Sequence, residues 1–164
     1  MPRAAIALGS NLGDRARLLT EAVDHLAALP MTTVLKLSKF YETDPIGGPP
    51  GQQKYFNAAA LIETALSPDE LLTALLAIER DLGRDRSSGV RNAPRTVDLD
   101  LIFYDDAIIA KEGLHVPHPR MHERRFVLEP LNEVAPEWVH PELKKSVREL
   151  LNGVDGEQSG GWPT

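Results

Sequence analysis

Thr96-Val97-Asp98-Leu99-Asp100-Leu101-Ile102-Phe103-Tyr104 is the stretch from which the rest of this 164-residue chain can be read. It is dense in branched and aromatic apolar residues and stops at Asp105-Asp106, so it reads as a strand followed by a turn. Side chains along a strand alternate between its two faces. Val97, Leu99, Leu101 and Phe103 are therefore expected to form a core face, with Thr96, Asp98, Asp100 and Ile102 on the other. The two aspartates then stand roughly 6 to 7 Å apart along the strand. Asp is disfavoured in strands, and like charges held so close repel unless a cation lies between them. Hard oxygen ligands of this kind suit Mg²⁺, which takes one or two carboxylates together with substrate phosphates. The competing reading is a pair of solvated aspartates on an edge strand.

Immediately upstream, Ser67-Pro68-Asp69-Glu70 announces a helix, with an N-cap serine, proline at the first helical position and glutamate three residues after the cap. Its apolar stripe runs through Leu71, Leu72, Leu75, Leu76, Ile78 and Leu82, and Gly83 stops it. At about 100° per residue from Leu71, Glu79 falls at roughly 80°, inside that stripe. A carboxylate pointing where leucines point needs a ligand or a structural ion pair with a nearby arginine. Between helix and strand, residues 84 to 94 hold Gly89, two serines and three arginines without apolar rhythm, so a long exposed loop is expected.

Working toward the N-terminus, Pro2 to Leu8 reads as a buried strand closed by Gly9-Ser10-Asn11, and Asp14 to Leu29 as a helix ended by Pro30. Thr32 to Tyr41 and Tyr55 to Thr64 read as strands, separated by the loop residues Pro45 to Gly51. The main elements run β-α-β-β-α-β, which predicts an α+β fold with a ferredoxin-like core, two helices packed on one face of an antiparallel four-stranded sheet. Beyond the aspartate strand, Ala107 to Ala110 is expected as a short returning strand, Arg120 to Glu129 as a helical turn or two, and Val147 to Leu151 as the end of a last helix. One domain over 1–164 is expected, with 153–164 a flexible tail.

Composition narrows the function. Lys and Arg number 18 against 24 Asp and Glu, a net charge of −6, which argues against a nucleic-acid-wrapping protein. Cysteine is absent, so disulfides, a thiol nucleophile and thiolate metal ligands are excluded. Ala4 to Leu8 is too short for a signal segment and no run approaches a membrane span, so a cytoplasmic protein without membrane contact is expected. Residues 84 to 125 nevertheless gather eight basic side chains, seven of them Arg, against seven acids. Guanidinium forks suit phosphate or carboxylate, so the segment is a candidate small-polyanion site, or else a solvated face. Carboxylates for Mg²⁺ beside several Arg and His side chains are the parts of phosphoryl transfer. His118 and His122 could instead form a metal pair, though no HExxH accompanies them, and neither a GxxxxGK[ST] nor a GxGxxG is present.

Two long motifs, Pro94-Arg95-Thr96-Val97-Asp98-Leu99-Asp100 and Val116-Pro117-His118-Pro119-Arg120-Met121-His122-Glu123-Arg124-Arg125-Phe126, together with Ala4 to Asp14, Phe40-Tyr41-Glu42-Thr43 and Tyr55-Phe56-Asn57-Ala58, carry a resemblance. In this order they resemble the 6-hydroxymethyl-7,8-dihydropterin pyrophosphokinase family of folate biosynthesis, from Ala4 to about Pro136. The resemblance implies a ferredoxin-like enzyme that moves the terminal pyrophosphate of ATP, its co-substrate, to the pterin hydroxymethyl group and leaves AMP. It implies that Asp98 and Asp100 hold two Mg²⁺. By motif position Arg84, Arg86 and Arg95 would act with them in catalysis, and Glu79, Arg84, Arg95, Leu101, His118 and Arg124 would bind ATP. Thr43, Pro45, Ile46, Tyr55, Asn57 and Phe126 would bind the pterin. A monomer working on small molecules alone is implied, since 164 residues leave no room for a fused partner. Two positions depart from the pattern. Asn92 stands where some members carry a tryptophan over the pterin, and Gly113 where others carry a polar group. A phosphohydrolase using the same carboxylates with His118, or a non-catalytic ligand-sensing module, would share the fold.

Overall fold

A computed structural model of the chain describes residues 1–10, 14–43, 54–83 and 97–154. Two strands in its middle are buried from end to end. Arg3–Ser10 (β1) is exposed only at its first residue, and Tyr55–Thr64 (β4) only partly at Phe56 and Glu63. Alanines fill both, at Ala4, Ala5, Ala7, Ala58, Ala59 and Ala60, as close packing on two faces requires. They pair antiparallel, Ala7 opposite Ala59 and Gly9 opposite Asn57. Thr32–Leu37 (β2) adds to β4, and Asp98–Tyr104 (β5) to β1, giving the order β2-β4-β1-β5. Tyr41–Thr43 (β3) also pairs with β4.

Each face of the sheet carries its own core. On the first, Ala4, Ile6 and Leu8 meet Leu19, Ala22 and Leu26 of helix α1 (Arg15–Ala27) and Leu71, Leu75 and Ile78 of α2 (Pro68–Gly83). On the second, Ala5, Ala7, Ala59 and Leu61 meet Phe126, Val127 and Leu131 of α3 (Arg125–Val134) and Val147 and Leu150 of α4 (Val147–Asn152). The fold is thus α+β, an antiparallel sheet between two helical layers, where the sequence pattern predicts helices on one face. Local signals set the helix starts: Asp14 accepts the N–H of Arg17, and Ser146 and Glu149 form a reciprocal capping box.

Five expectations change in detail. Thr32 to Tyr41 is not one strand. Ser38, buried between β2 and β3, gives its N–H to Ala59 O and takes the Ala59 N–H on its hydroxyl, so a side chain stands in for the backbone ladder. In β5 the register slips between Ala5 and Ile6, which face Phe103 and Leu101 and leave Ile102 as an extra residue. That bulge moves Phe103 to the second core and Tyr104 to the first, correcting the expected face of Phe103. Ala107 to Ala110 does not return on β5; Ile109–Lys111 (β6) pairs with Leu114–Val116 (β7) across Gly113 at φ 82°. The turns near Arg120 are a 3-10 turn, Met121–Glu123, and then the whole of α3. Val147 begins the last helix instead of nearing its end, because Ser146 caps it there. Gly153 closes α4 through its N–H to the Glu149 carbonyl, and 155–164 lies outside the described residues.

Candidate active site

Asp98 and Asp100 stand on the face of β5 opposite Leu99 and Leu101, as alternation predicts, and both are partly exposed. Their neighbours across the sheet give the site its shape. Gly9 lies between Asn57 and Asp98, and Ala7 between Ala59 and Asp100. Directly paired antiparallel residues share a face. Glycine and alanine therefore form a low floor, with the carboxylates along one side and Asn57 two strand spacings away, roughly 10 Å.

Asn57 is 1% exposed and gives its side-chain N–H to Thr43 Oγ1 at 2.7 Å. Thr43 pairs with Tyr55, itself buried, and Phe126 of α3 packs in the same core. Four expected pterin-side residues, Thr43, Tyr55, Asn57 and Phe126, are thus brought to one end of the second face. The other two, Pro45 and Ile46, fall outside the described residues.

At the carboxylate end, the segment after β7 crosses the rim of β5. The His118 N–H is given to the Ile102 carbonyl at 3.1 Å, and its Nε2 lies 3.8 Å from Asp100 Oδ2. Arg120 gives its backbone N–H to His118 Nδ1, so in the neutral ring the proton sits on Nε2, toward Asp100. Burial, followed by the charges of Arg124 and Arg120, pushes the His118 pKa down to about 4. His118 is then a neutral donor at ordinary pH. Arg124 is buried beside it, 5.9 Å from the Phe126 ring centre. Burial and Arg120 lower its hold on its proton, while Asp100 and Glu123 oppose that.

Glu79 is buried, as its place on the apolar stripe predicts. Its Oε2 accepts the Leu99 backbone N–H at 2.7 Å. Leu101 has its side chain in the first core, so only its backbone is presented to anything along the strand. Arg84, Arg86, Arg95 and the position of Asn92 lie outside the described residues. His118 and His122 line one small cavity together with His140, and the Nε2 of His122 lies 3.6 Å from Glu123. No group of three or more His, Asp or Glu suited to a metal occurs among the described residues. Two carboxylates on one face still fit Mg²⁺, whose remaining positions are filled by water and phosphate oxygens.

Two supporting residues, Arg15 and Glu133, carry no signal in the sequence, and Tyr41 carries none beyond its place in the Phe40 to Thr43 motif. The Tyr41 hydroxyl donates to Glu133 Oε1 at 2.8 Å, and the Lys39 N–H reaches the same carboxylate, which ties the start of β3 to α3. These contacts join residues about ninety positions apart in the chain, and local pattern does not report them.

A histidine donor, a buried arginine and paired carboxylates over a small-residue floor are an arrangement chemically suited to a polyanion and a hard divalent cation. The comparisons are specific. Residues 5–136 match the family described as 7,8-dihydro-6-hydroxymethylpterin-pyrophosphokinase. The chain is 49% identical over 132 residues to a 2-amino-4-hydroxy-6-hydroxymethyldihydropteridine pyrophosphokinase of Bacillus subtilis, covering 80% of this chain and 77% of that one. It is 44% identical over 155 residues to the protein of that name from Methylorubrum extorquens, covering 94% and 95%. Among solved structures, wild-type HPPK-DHPS of Plasmodium falciparum with pteroate shares the fold at a TM-score of 0.72 and 16% identity, over 92% of this chain. This chain spans 44% of that longer one. The chain belongs to the 7,8-dihydro-6-hydroxymethylpterin-pyrophosphokinase family.

Proposed function

We propose that the chain transfers pyrophosphate from ATP to the hydroxymethyl group of 6-hydroxymethyl-7,8-dihydropterin in folate biosynthesis, giving the pterin diphosphate and AMP. One observation carries the assignment of the site. Asp98 and Asp100 share a sheet face with Asn57 across Gly9 and Ala7, so an anion-handling end and a ring-binding end lie on one floor. Family membership supports the reaction.

In the reaction the pterin hydroxyl oxygen attacks the β-phosphorus in line. The bond from that phosphorus to the α–β bridging oxygen breaks, the hydroxyl proton is lost, and AMP departs. Asp98 and Asp100 are the residues that would hold two Mg²⁺, which supply charge neutralisation along the phosphates when bound. His118, neutral with its proton on Nε2, donates to a phosphate oxygen without adding charge. Arg124 supplies a fixed positive charge in a shielded place, where it acts most strongly. Asn57 and Thr43 offer the polar edge for the pterin amide, and Tyr55 and Phe126 its apolar wall. Glu79 and the Leu101 backbone flank the adenosine side. Arg84, Arg86 and Arg95 in catalysis, and Pro45 and Ile46 at the pterin, rest on the resemblance of their motifs.

We read β1-α1-β2-β4-α2-β5, in the order β2-β4-β1-β5, as a ferredoxin-like core to which β3, α3 and α4 are added. The working unit is taken as one domain over 1–164, a monomer in the cytoplasm that meets neither nucleic acid nor membrane. No helix among the described residues is long and apolar enough to cross one.

AMP release from ATP and Mg²⁺, with and without the pterin, tests the reading in wild type and Asp98→Ala. Pterin-dependent AMP that disappears in the variant is expected. ATP turnover indifferent to the pterin would transfer the assignment to a phosphohydrolase.

A further inference from the structure

Arg15, the first residue of α1, sits on the first-core side of the sheet, behind the candidate site. Its Nη1 donates to Glu42 Oε2 at 3.1 Å and to the Lys54 carbonyl at 2.6 Å. Its guanidinium carbon lies 4.1 Å from the centre of the Phe56 ring. Glu42 is the middle residue of β3 and pairs with Phe56, while Lys54 immediately precedes β4. One guanidinium thus joins β3 to the entry of β4. On the other face of the same two strands stand Thr43, paired with Tyr55, and Asn57, paired with Tyr41.

β3 is three residues long, and among the described residues the one strand it pairs with is β4. So short a ladder is marginal by itself. The Arg15 side chain is 19% exposed and stacked on the Phe56 ring, whereas the Glu42 side chain that it meets is 46% exposed, so the ring contact and the bond to the Lys54 carbonyl hold the guanidinium in place beside the ion pair. Arg17, one half-turn on, is different: it pairs with Glu21 in the open, its side chain 70% exposed.

We propose that Arg15 is a positioning residue for the pterin end of the site, clasping Glu42 and the Lys54 carbonyl so that Thr43 stays seated against Tyr55 and Asn57. The proposal rests on the reaction proposed above. Without the clasp, β3 spends part of its time with Thr43 away from Asn57. The fraction of molecules competent to bind the pterin falls, and the apparent affinity falls with it. The phosphate end, built on β5 and the segment after β7, is untouched.

Steady-state kinetics with each substrate varied in turn test this, using Arg15→Met, Arg15→Lys, Glu42→Gln and, as control, Arg17→Met. Methionine keeps a stem over Phe56 and removes the charge; lysine keeps the charge and reaches one acceptor at a time. In Arg15→Met the KM for the pterin is expected to rise about tenfold while the KM for ATP stays within about twofold. Arg15→Lys and Glu42→Gln are expected between that value and wild type, and Arg17→Met at wild type. A pterin KM unmoved in Arg15→Met, or equal rises in both KM values, overturns the proposal. If Arg15→Met fails to fold, an unmoved pterin KM in both Arg15→Lys and Glu42→Gln overturns it equally. A wild type that makes no pterin-dependent AMP removes the functional reading and this inference together; an active wild type with unmoved variants removes the inference alone.

Discussion

The carboxylate of Glu79 accepts the backbone N–H of Leu99, the residue between Asp98 and Asp100, at 2.7 Å. Among the described residues β5 is the last strand of its sheet on that side, and this bond occupies part of its outer rim. A side chain from α2 therefore sets the height of the backbone from which both site carboxylates project. Glu79→Ala leaves that buried N–H without its acceptor, an expected loss of about 1–3 kcal/mol. Glu79→Gln keeps an acceptor oxygen and is expected to lose less than half as much. Urea unfolding decides it: equal losses in the two variants would mean that the contact does not matter.

Asp98→Asn removes a charge without changing shape. Turnover is expected to fall at least a hundredfold, an effect of the several kcal/mol that cation-assisted charge stabilisation supplies, roughly. The thermal midpoint should hold steady, because the side chain is partly exposed and lies outside both cores. Initial rates alongside a melting curve separate the two; a parallel collapse of both would make the residue structural.

Tyr41 gives a pH signature. Burial, then the hydrogen bond and charge of Glu133, raise its pKa from 10.0 to about 12. Between those values the unfolded chain gives up the phenol proton while the folded chain keeps it. The contribution to stability is therefore complete below pH 10, and it is lost as pH rises through 12. The difference in tyrosinate absorbance between wild type and Tyr41→Phe should titrate near 12. A midpoint at the ordinary tyrosine value would show that the Glu133 contact is not kept in solution.

Phe103 is fully buried and stacks on Trp138 with ring centres 5.1 Å apart and planes at 14°. Phe103→Ala opens a cavity in the second core and is expected to cost about 3–5 kcal/mol. Tryptophan emission should move to longer wavelength in the folded variant. A small loss, with emission unchanged, would place Phe103 outside the core.

The long elements and the Asp98–Asp100 pair were legible because each rests on local periodicity. Glu79 was legible as an anomaly, but its bond to the Leu99 amide was not, since a helical wheel shows that a buried carboxylate needs a partner and not which one. The break at Ser38 was hidden because its hydroxyl imitates the ladder that a continuous strand would have made. Phe103 was misplaced because alternation assumes a constant register, and the slip opposite Ala5 and Ile6 appears only when two strands meet. Arg15 and Glu133 were silent for the same reason: each acts on β3 from a helix far away in sequence. Of the second layer, α4 was legible as a helix through Val147 to Leu151, though not where it starts, and α3 only as a turn or two.

The extra residue at Ile102 lets one strand serve two masters. Before it, the outer face carries aspartates; after it, the same face receives the ring that closes the second core. Substitutions on either side can be absorbed locally, and the bulge itself takes up the odd residue. Deleting residue 102 would restore strict alternation with Phe103 still opposite Ala5 and both aspartates still on their face, at the cost of the Ile102 side chain buried in the second core. What the odd residue adds is apolar contact in the second core through Ile102, and the placing of the carboxylates follows from the pairs Asp98–Gly9 and Asp100–Ala7 on the near side of it.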